Sequence, residues 1–187
     1  DVPTYVTIDF EAGAPVAVDG EKMKASDIIR KLNKLGGENG VGILDIVENR
    51  LIGMKDHGIY ETPGGTILYF AHEQLEMLTL DKETAHMKSK LAVDYADLIY
   101  NGKWFSALQE ALTAFAKKAN ENCTGTVKLK LYKGNMINAG ITSPNSLYSE
   151  NLVTFGESDF DQAQSAGFIN IWGLPTKVQS LLKSGKL

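Results

Sequence analysis

Cysteine is nearly absent. Cys123 is the only one in 187 residues, so the chain builds no internal disulfide and no multi-cysteine zinc site. Its placement reads as a small, half-buried thiol near a helix end, not a nucleophile. No apolar run reaches the ~20 residues of a membrane-spanning helix. The opening DVPTYVTIDF has neither the basic segment nor the apolar core of a secretory signal, and no initiator methionine. The expectation is a cytoplasmic protein with no membrane partner, either processed or a piece of something longer; Asn122-Cys123-Thr124 is then discounted as a glycosylation acceptor. Basic charge is not in surplus: 19 Lys and Arg against 23 Asp and Glu give a net charge of -4, which excludes a chain built to hold nucleic-acid backbones. Lys128, Lys130 and Lys133 alternate with Val127, Leu129 and Leu131, and with no aromatic stacking pair among them they read as a solvated strand face.

The composition, 43% hydrophobic and 22% charged, suffices for one globular core. Val6, Ile8 and Phe10 alternate with Thr7, Asp9 and Glu11, a half-buried strand that turns at Ala12-Gly13-Ala14 and returns through Val16 and Val18. Ser26 is placed to cap a helix carrying Ile28, Leu32 and Leu35, with Gly36-Gly37 as its stop. A short apolar strand, Ile43 to Val47, leads into the polar cluster Glu48, Asn49, Arg50; Asp56-His57-Gly58 reads as a loop. Helical spacing begins at Thr66, resumes after Asp81 with a stripe through Met87, Leu91 and Leu98, and ends at Gly102. Ser106 and Gln109 form a capping box for a third helix with Leu108, Leu112, Phe115 and Ala119 on its buried face. Val127 to Leu131, the turn Lys133-Gly134-Asn135 and Met136 to Thr142 spell a hairpin. The tail, helical with a break at Gly173 and Pro175, is unusually apolar for a terminus and is expected to dock on another subunit. The fold class is α+β: a partly antiparallel sheet, a central block of helices and a C-terminal helical tail.

Most chemical motifs fail on inspection. Gly37 to Gly42 has phosphate-loop spacing, but Ile43 and Leu44 stand where lysine and a hydroxyl are needed. His72-Glu73-Gln74-Leu75-Glu76 opens like a metalloprotease helix, yet Glu76 replaces the second histidine and the stripe places this face beside solvent; no metal site is assigned. No G-x-S-x-G elbow occurs. What remains is Glu48, at a strand end, and Tyr60, twelve positions later across a glycine-bearing loop. A carboxylate that only accepts and a phenol that donates or accepts can converge on a ligand rich in N–H groups. Beside this stands the plainer reading, in which Glu48 pairs with Arg50 or a lysine and Tyr60 packs its ring.

Six blocks, GVGILDIVENRLIGMK, GIYETPGGTILYFAHEQLEMLTLD, YADLIYNGKWFSALQEAL, TGTVKLKLYKGN, SPNSLYSE and GFINIWGLPTKV, together resemble the C-terminal half of argininosuccinate synthase, from about Tyr5 to Val178. The resemblance implies a synthetase domain over residues 1–160, an oligomerisation tail over 161–187, and an absent N-terminal nucleotide-binding domain, since nothing here is similar to that family's S-G-G-x-D-T-S loop. The family joins L-citrulline and L-aspartate with ATP and magnesium in arginine biosynthesis, forming argininosuccinate, AMP and pyrophosphate, and is homotetrameric. Glu48 and Tyr60 match its citrulline-binding positions; no catalytic residue is implied here, and the isolated chain is expected to be inactive. Ile43 departs from the family's arginine, Asp56-His57 from its Ser-Arg, and Asn145 from a bulkier residue.

Overall fold

The computed structural model describes residues 2–152, 159 and 161–187. In chain order the elements are β1 (Thr4–Glu11), β2 (Ala14–Val18), β3 (Glu21–Lys22), α1 (Ala25–Glu38), β4 (Ile43–Asn49), β5 (Lys55–Glu61), α2 (Pro63–Thr79), α3 (Lys82–Tyr100), α4 (Ala107–Ala119), β6 (Gly125–Tyr132), β7 (Asn135–Thr142), α5 (Gln164–Trp172) and α6 (Leu174–Lys183). This is the expected α+β class, and every strand pairing is antiparallel. Two compact units divide the chain, residues 1–147 and Tyr148–Leu187.

In the first unit a five-stranded sheet has the order β3-β2-β1-β6-β7. Alternation places Val6, Ile8 and Phe10 on the same face as Val127, Leu129 and Leu131, and α1 and α2 cover that face with Ile28, Leu32, Ile67, Ala71 and Leu75. Ile8, Leu32 and Leu129 are completely buried, and each such side chain contributes about 1.5–3 kcal/mol relative to exposure.

Several boundaries differ from the sequence reading. Helix α1 starts at Ala25 after Lys24, so Ser26 lies inside the first turn and makes no capping bond. Gly36 and Gly37 do not stop it: the helix continues to Glu38, and Gly36 is buried where a Cβ would come within 2.6 Å of the Pro63 side chain. Its role is close approach of α1 to α2. Helix α2 starts three residues earlier than Thr66, with Pro63 in the first turn where its missing N–H costs nothing. Asp81 caps α3 by accepting from Thr84 N. Ser106 Oγ accepts from Gln109 N, but the Gln109 side chain turns away to Tyr95 and Thr113, leaving only half the capping box. On α4 Leu112 is buried while Leu108 is 54% exposed, because α4 packs chiefly on α3.

The second unit contains α5 and α6, separated at Gly173 as the sequence suggests. Phe168 and Trp172 stack at 5.6 Å on α5, and neither helix buries a residue. The sequence-based boundary at 160 falls on Phe160, which lies outside the described residues, as does part of the irregular segment before it. Among the described residues no helix is long and apolar enough to cross a membrane.

Candidate functional site

The segment read as strand, polar cluster and loop is a two-stranded hairpin, β4 with β5, that pairs with no other strand among the described residues. Asp56, His57 and Gly58 are strand residues, not a loop, because seven consecutive pairs tie β5 to β4. The tip closes through Arg50 N to Met54 O at 2.7 Å and Gly53 N to Arg50 O at 2.8 Å. The root closes through Thr62 N to Gly42 O at 2.9 Å. Only glycine fits at 42: its φ is +86°, and a Cβ there would lie 2.5 Å from Pro63 Cα.

The register sorts the side chains by face. Leu44 opposes Tyr60, Ile46 opposes Gly58, and Glu48 opposes Asp56, so all six positions share one face. Tyr60 lies four residues up the ladder from Glu48, about 13 Å of strand. Its ring therefore leans along the hairpin, over Gly58, and the hydroxyl donates a short hydrogen bond to Glu48 Oε1. This bond, followed by loss of hydration and the charges of Glu48 and Asp56, pushes the Tyr60 phenol above its ordinary 10.0. The structure thus brings together the two residues singled out from the sequence, and Arg50 is not the partner of Glu48. Arg50 Nη2 binds Asp56 Oδ2 at 2.7 Å instead. On the opposite face His57 Nε2 sits 2.6 Å from Asp45 Oδ1. Two of the departures from the family pattern, Asp56 and His57, therefore each make a polar side-chain contact within the hairpin, while Ile43 is exposed at its root opposite Glu61.

The phenol commits its proton to Glu48, so the pair offers lone pairs: those of the tyrosine oxygen and the second carboxylate oxygen. Such a pair accepts from ammonium or ureido N–H groups and has none of the features of a metal or phosphate site. Glu48 is half-buried and Tyr60 is 40% exposed, on an open face. Sequence reasoning missed Gly58; the signal available was its position two residues before Tyr60, which in a strand means the same face.

Elsewhere three readings change. The His72 face of α2 is not beside solvent: His72 Nδ1 and Lys88 Nζ lie 3.0 and 2.8 Å from Glu76 Oε1, and Phe10 packs edge-on against His72. A cavity of about 330 Å³ borders this cluster, lined by Phe10, Leu68, His72, Glu76 and Lys88. Among the described residues no three His, Cys, Asp or Glu converge as metal ligands. Cys123 is completely buried rather than half-buried, touches Thr79 Oγ1 at 3.2 Å, and is pushed up by that burial. The strand lysines do have aromatic neighbours: Lys128 lies 5.3 Å over Tyr5, and Lys130 and Lys133 lie 5.8 and 5.1 Å over Tyr132. Tyr5 comes from the neighbouring strand β1 and lies outside the lysine run, whereas Tyr132 sits within it, between Lys130 and Lys133.

Comparison with known proteins adds the family. The chain matches the family described as "Arginosuccinate synthase C-terminal domain" over residues 1–179. It is 60% identical over 184 residues to a protein of Moorella thermoacetica named argininosuccinate synthase, covering 98% of this chain and 45% of that protein. So-named proteins of Desulforamulus reducens and Clostridium botulinum are 57% and 58% identical, again over 98% of this chain and over 46% and 47% of their own lengths. The chain spans about half the length of these relatives. On the match along nearly its whole length, this chain belongs to the argininosuccinate synthase C-terminal domain family.

Proposed function

We propose that this chain is the synthetase and multimer-forming half of a cytoplasmic ATP-dependent C–N ligase that joins L-citrulline to L-aspartate in arginine biosynthesis. The observation that supports it most directly is the Tyr60 hydroxyl bonded to Glu48 across the hairpin, an acceptor pair suited to citrulline's N–H groups. In the reaction the ureido oxygen of citrulline attacks the α-phosphorus of ATP and pyrophosphate leaves. The aspartate amine then attacks the activated carbon, AMP leaves, the nitrogen loses a proton and argininosuccinate forms. Glu48 and Tyr60 take no proton in this scheme; they hold citrulline so that its oxygen faces the phosphorus, a contribution of proximity and orientation. Magnesium-bound ATP and aspartate are held by a nucleotide-binding portion outside this chain, and the chain alone is inactive. The assembled enzyme is a homotetramer.

Citrulline titration of the full-length protein carrying Glu48→Ala tests the reading. A loss of affinity of about tenfold or more supports it, in line with removal of a charged hydrogen-bond acceptor. Unchanged affinity favours the second reading, an assembly domain with no ligand contacts, which draws on the exposed Phe168, Ile171 and Trp172 of α5.

A further inference from the structure

Gly58 is an interior strand residue with no evident backbone need for glycine. Its φ lies outside the left-handed region, unlike that of Gly42, and it is paired in the ladder opposite Ile46. Glycine in a strand interior weakens it, and its presence commonly marks a place where another group approaches closely. Here the approaching group belongs to the same strand. A Cβ at position 58 would lie 2.7 Å from Tyr60 Cε2 and 2.9 Å from both Cζ and the hydroxyl oxygen. Real Cβ atoms do not approach other heavy atoms so closely, so any side chain at 58 lifts the ring off the face.

We propose that Gly58 is a positioning residue: its bare Cα is the seat across which the Tyr60 ring lies to reach Glu48, and the citrulline-accepting pair depends on it. The inference rests on the assignment of Glu48 and Tyr60 to citrulline for its functional consequence and on geometry alone for the seat. The remaining neighbours of the ring on this face fit that role. Leu44, directly across from Tyr60, is half-exposed and apolar, and Asp56 is already engaged by Arg50. With the ring displaced, its hydroxyl loses Glu48 as acceptor.

The seat makes a prediction that a structural role for Gly58 does not. Citrulline affinity is measured in the full-length protein for Gly58→Ala, Tyr60→Ala and the double variant. Gly58→Ala is expected to lose most of what Tyr60→Ala loses, about tenfold, and the double variant to match Tyr60→Ala alone, because no ring is left to displace. The thermal midpoint of Gly58→Ala holds or rises, since alanine suits a strand better than glycine. Losses that simply add, or an affinity for Gly58→Ala within twofold of wild type while Tyr60→Ala is impaired, overturn the proposal. Should Tyr60→Ala leave citrulline binding intact, the site assignment fails, and a crystal structure of Gly58→Ala decides the seat by itself. A hydroxyl moved off Glu48 upholds it; a hydroxyl still bonded to Glu48 overturns it.

Discussion

Glu48 and Asp56 face each other as direct partners in the β4–β5 ladder, two carboxylates on one face, and Arg50 binds Asp56. Like charges directly opposite in an antiparallel pair destabilise each other. The arrangement is tolerated because each carboxylate has its own partner, Arg50 for Asp56 and the Tyr60 hydroxyl for Glu48. The acid that has no counter-ion among the described residues, only a hydrogen bond, is the one proposed to meet the ligand.

The Tyr60 phenol should therefore stay protonated at a pH where an ordinary tyrosine ionises. Its pKa is raised in the folded chain, so the stability it contributes is whole below its ordinary value of 10.0 and drains away as pH rises through the higher folded value. The ultraviolet absorbance change on alkaline titration, compared with that of Tyr60→Phe, isolates this phenol. A difference curve centred at or below 10 would sink the claim.

A second expectation concerns the clasp between α2 and α3. Burial by itself would raise the Glu76 carboxyl, but hydrogen bonds and charge from His72 and Lys88 outweigh it and hold the group low. Lys88→Met removes one of two partners from a carboxylate whose side chain is only 13% exposed. The expected loss is about 1–3 kcal/mol in denaturant unfolding at neutral pH. A depressed carboxyl stabilises above its unfolded value, ordinarily 4.5, and that stability is lost as pH falls through the folded value. The gap between wild type and variant should accordingly narrow on acidification, and a gap that stays constant would contradict the assignment.

The assembly role proposed for the tail predicts that removing residues 148–187 from the full-length protein yields smaller oligomers by light scattering. Residues 1–147 form their own compact unit and should keep their cooperative melting. An unchanged oligomer size would remove α5 and α6 from the interface.

What the sequence disclosed and what it concealed divide along burial. Val6, Ile8 and Phe10, with Val127, Leu129 and Leu131, were legible because one face of the main sheet is covered and burial enforces alternation. The β4–β5 hairpin has neither face covered in this unit, so Ile43, Val47 and Ile59 stay exposed beside Asp45 and His57, and no alternation marks it. Gly36 misled for a related reason: a glycine kept for contact with Pro63 is indistinguishable in sequence from one that ends a helix. Glu48 and Tyr60 were found through residue chemistry and family likeness, while Gly58 has no side chain to suggest a task, and its spacing from Tyr60 carries meaning only once residues 55–61 are known to be a strand.

The tight root of the hairpin has a mechanical outcome. Glu48 stands five residues beyond Ile43, about 17 Å out along a strand, while the ladder is anchored where Gly42 abuts Pro63. A tilt of roughly 5° at that anchor would sweep the carboxylate through about 1.5 Å at this reach, comparable to the ~1 Å misplacement that can cost two orders of magnitude in rate. The first turn of α2 thus works as the bearing of a lever, and substitutions far from the acid can be felt at its far end.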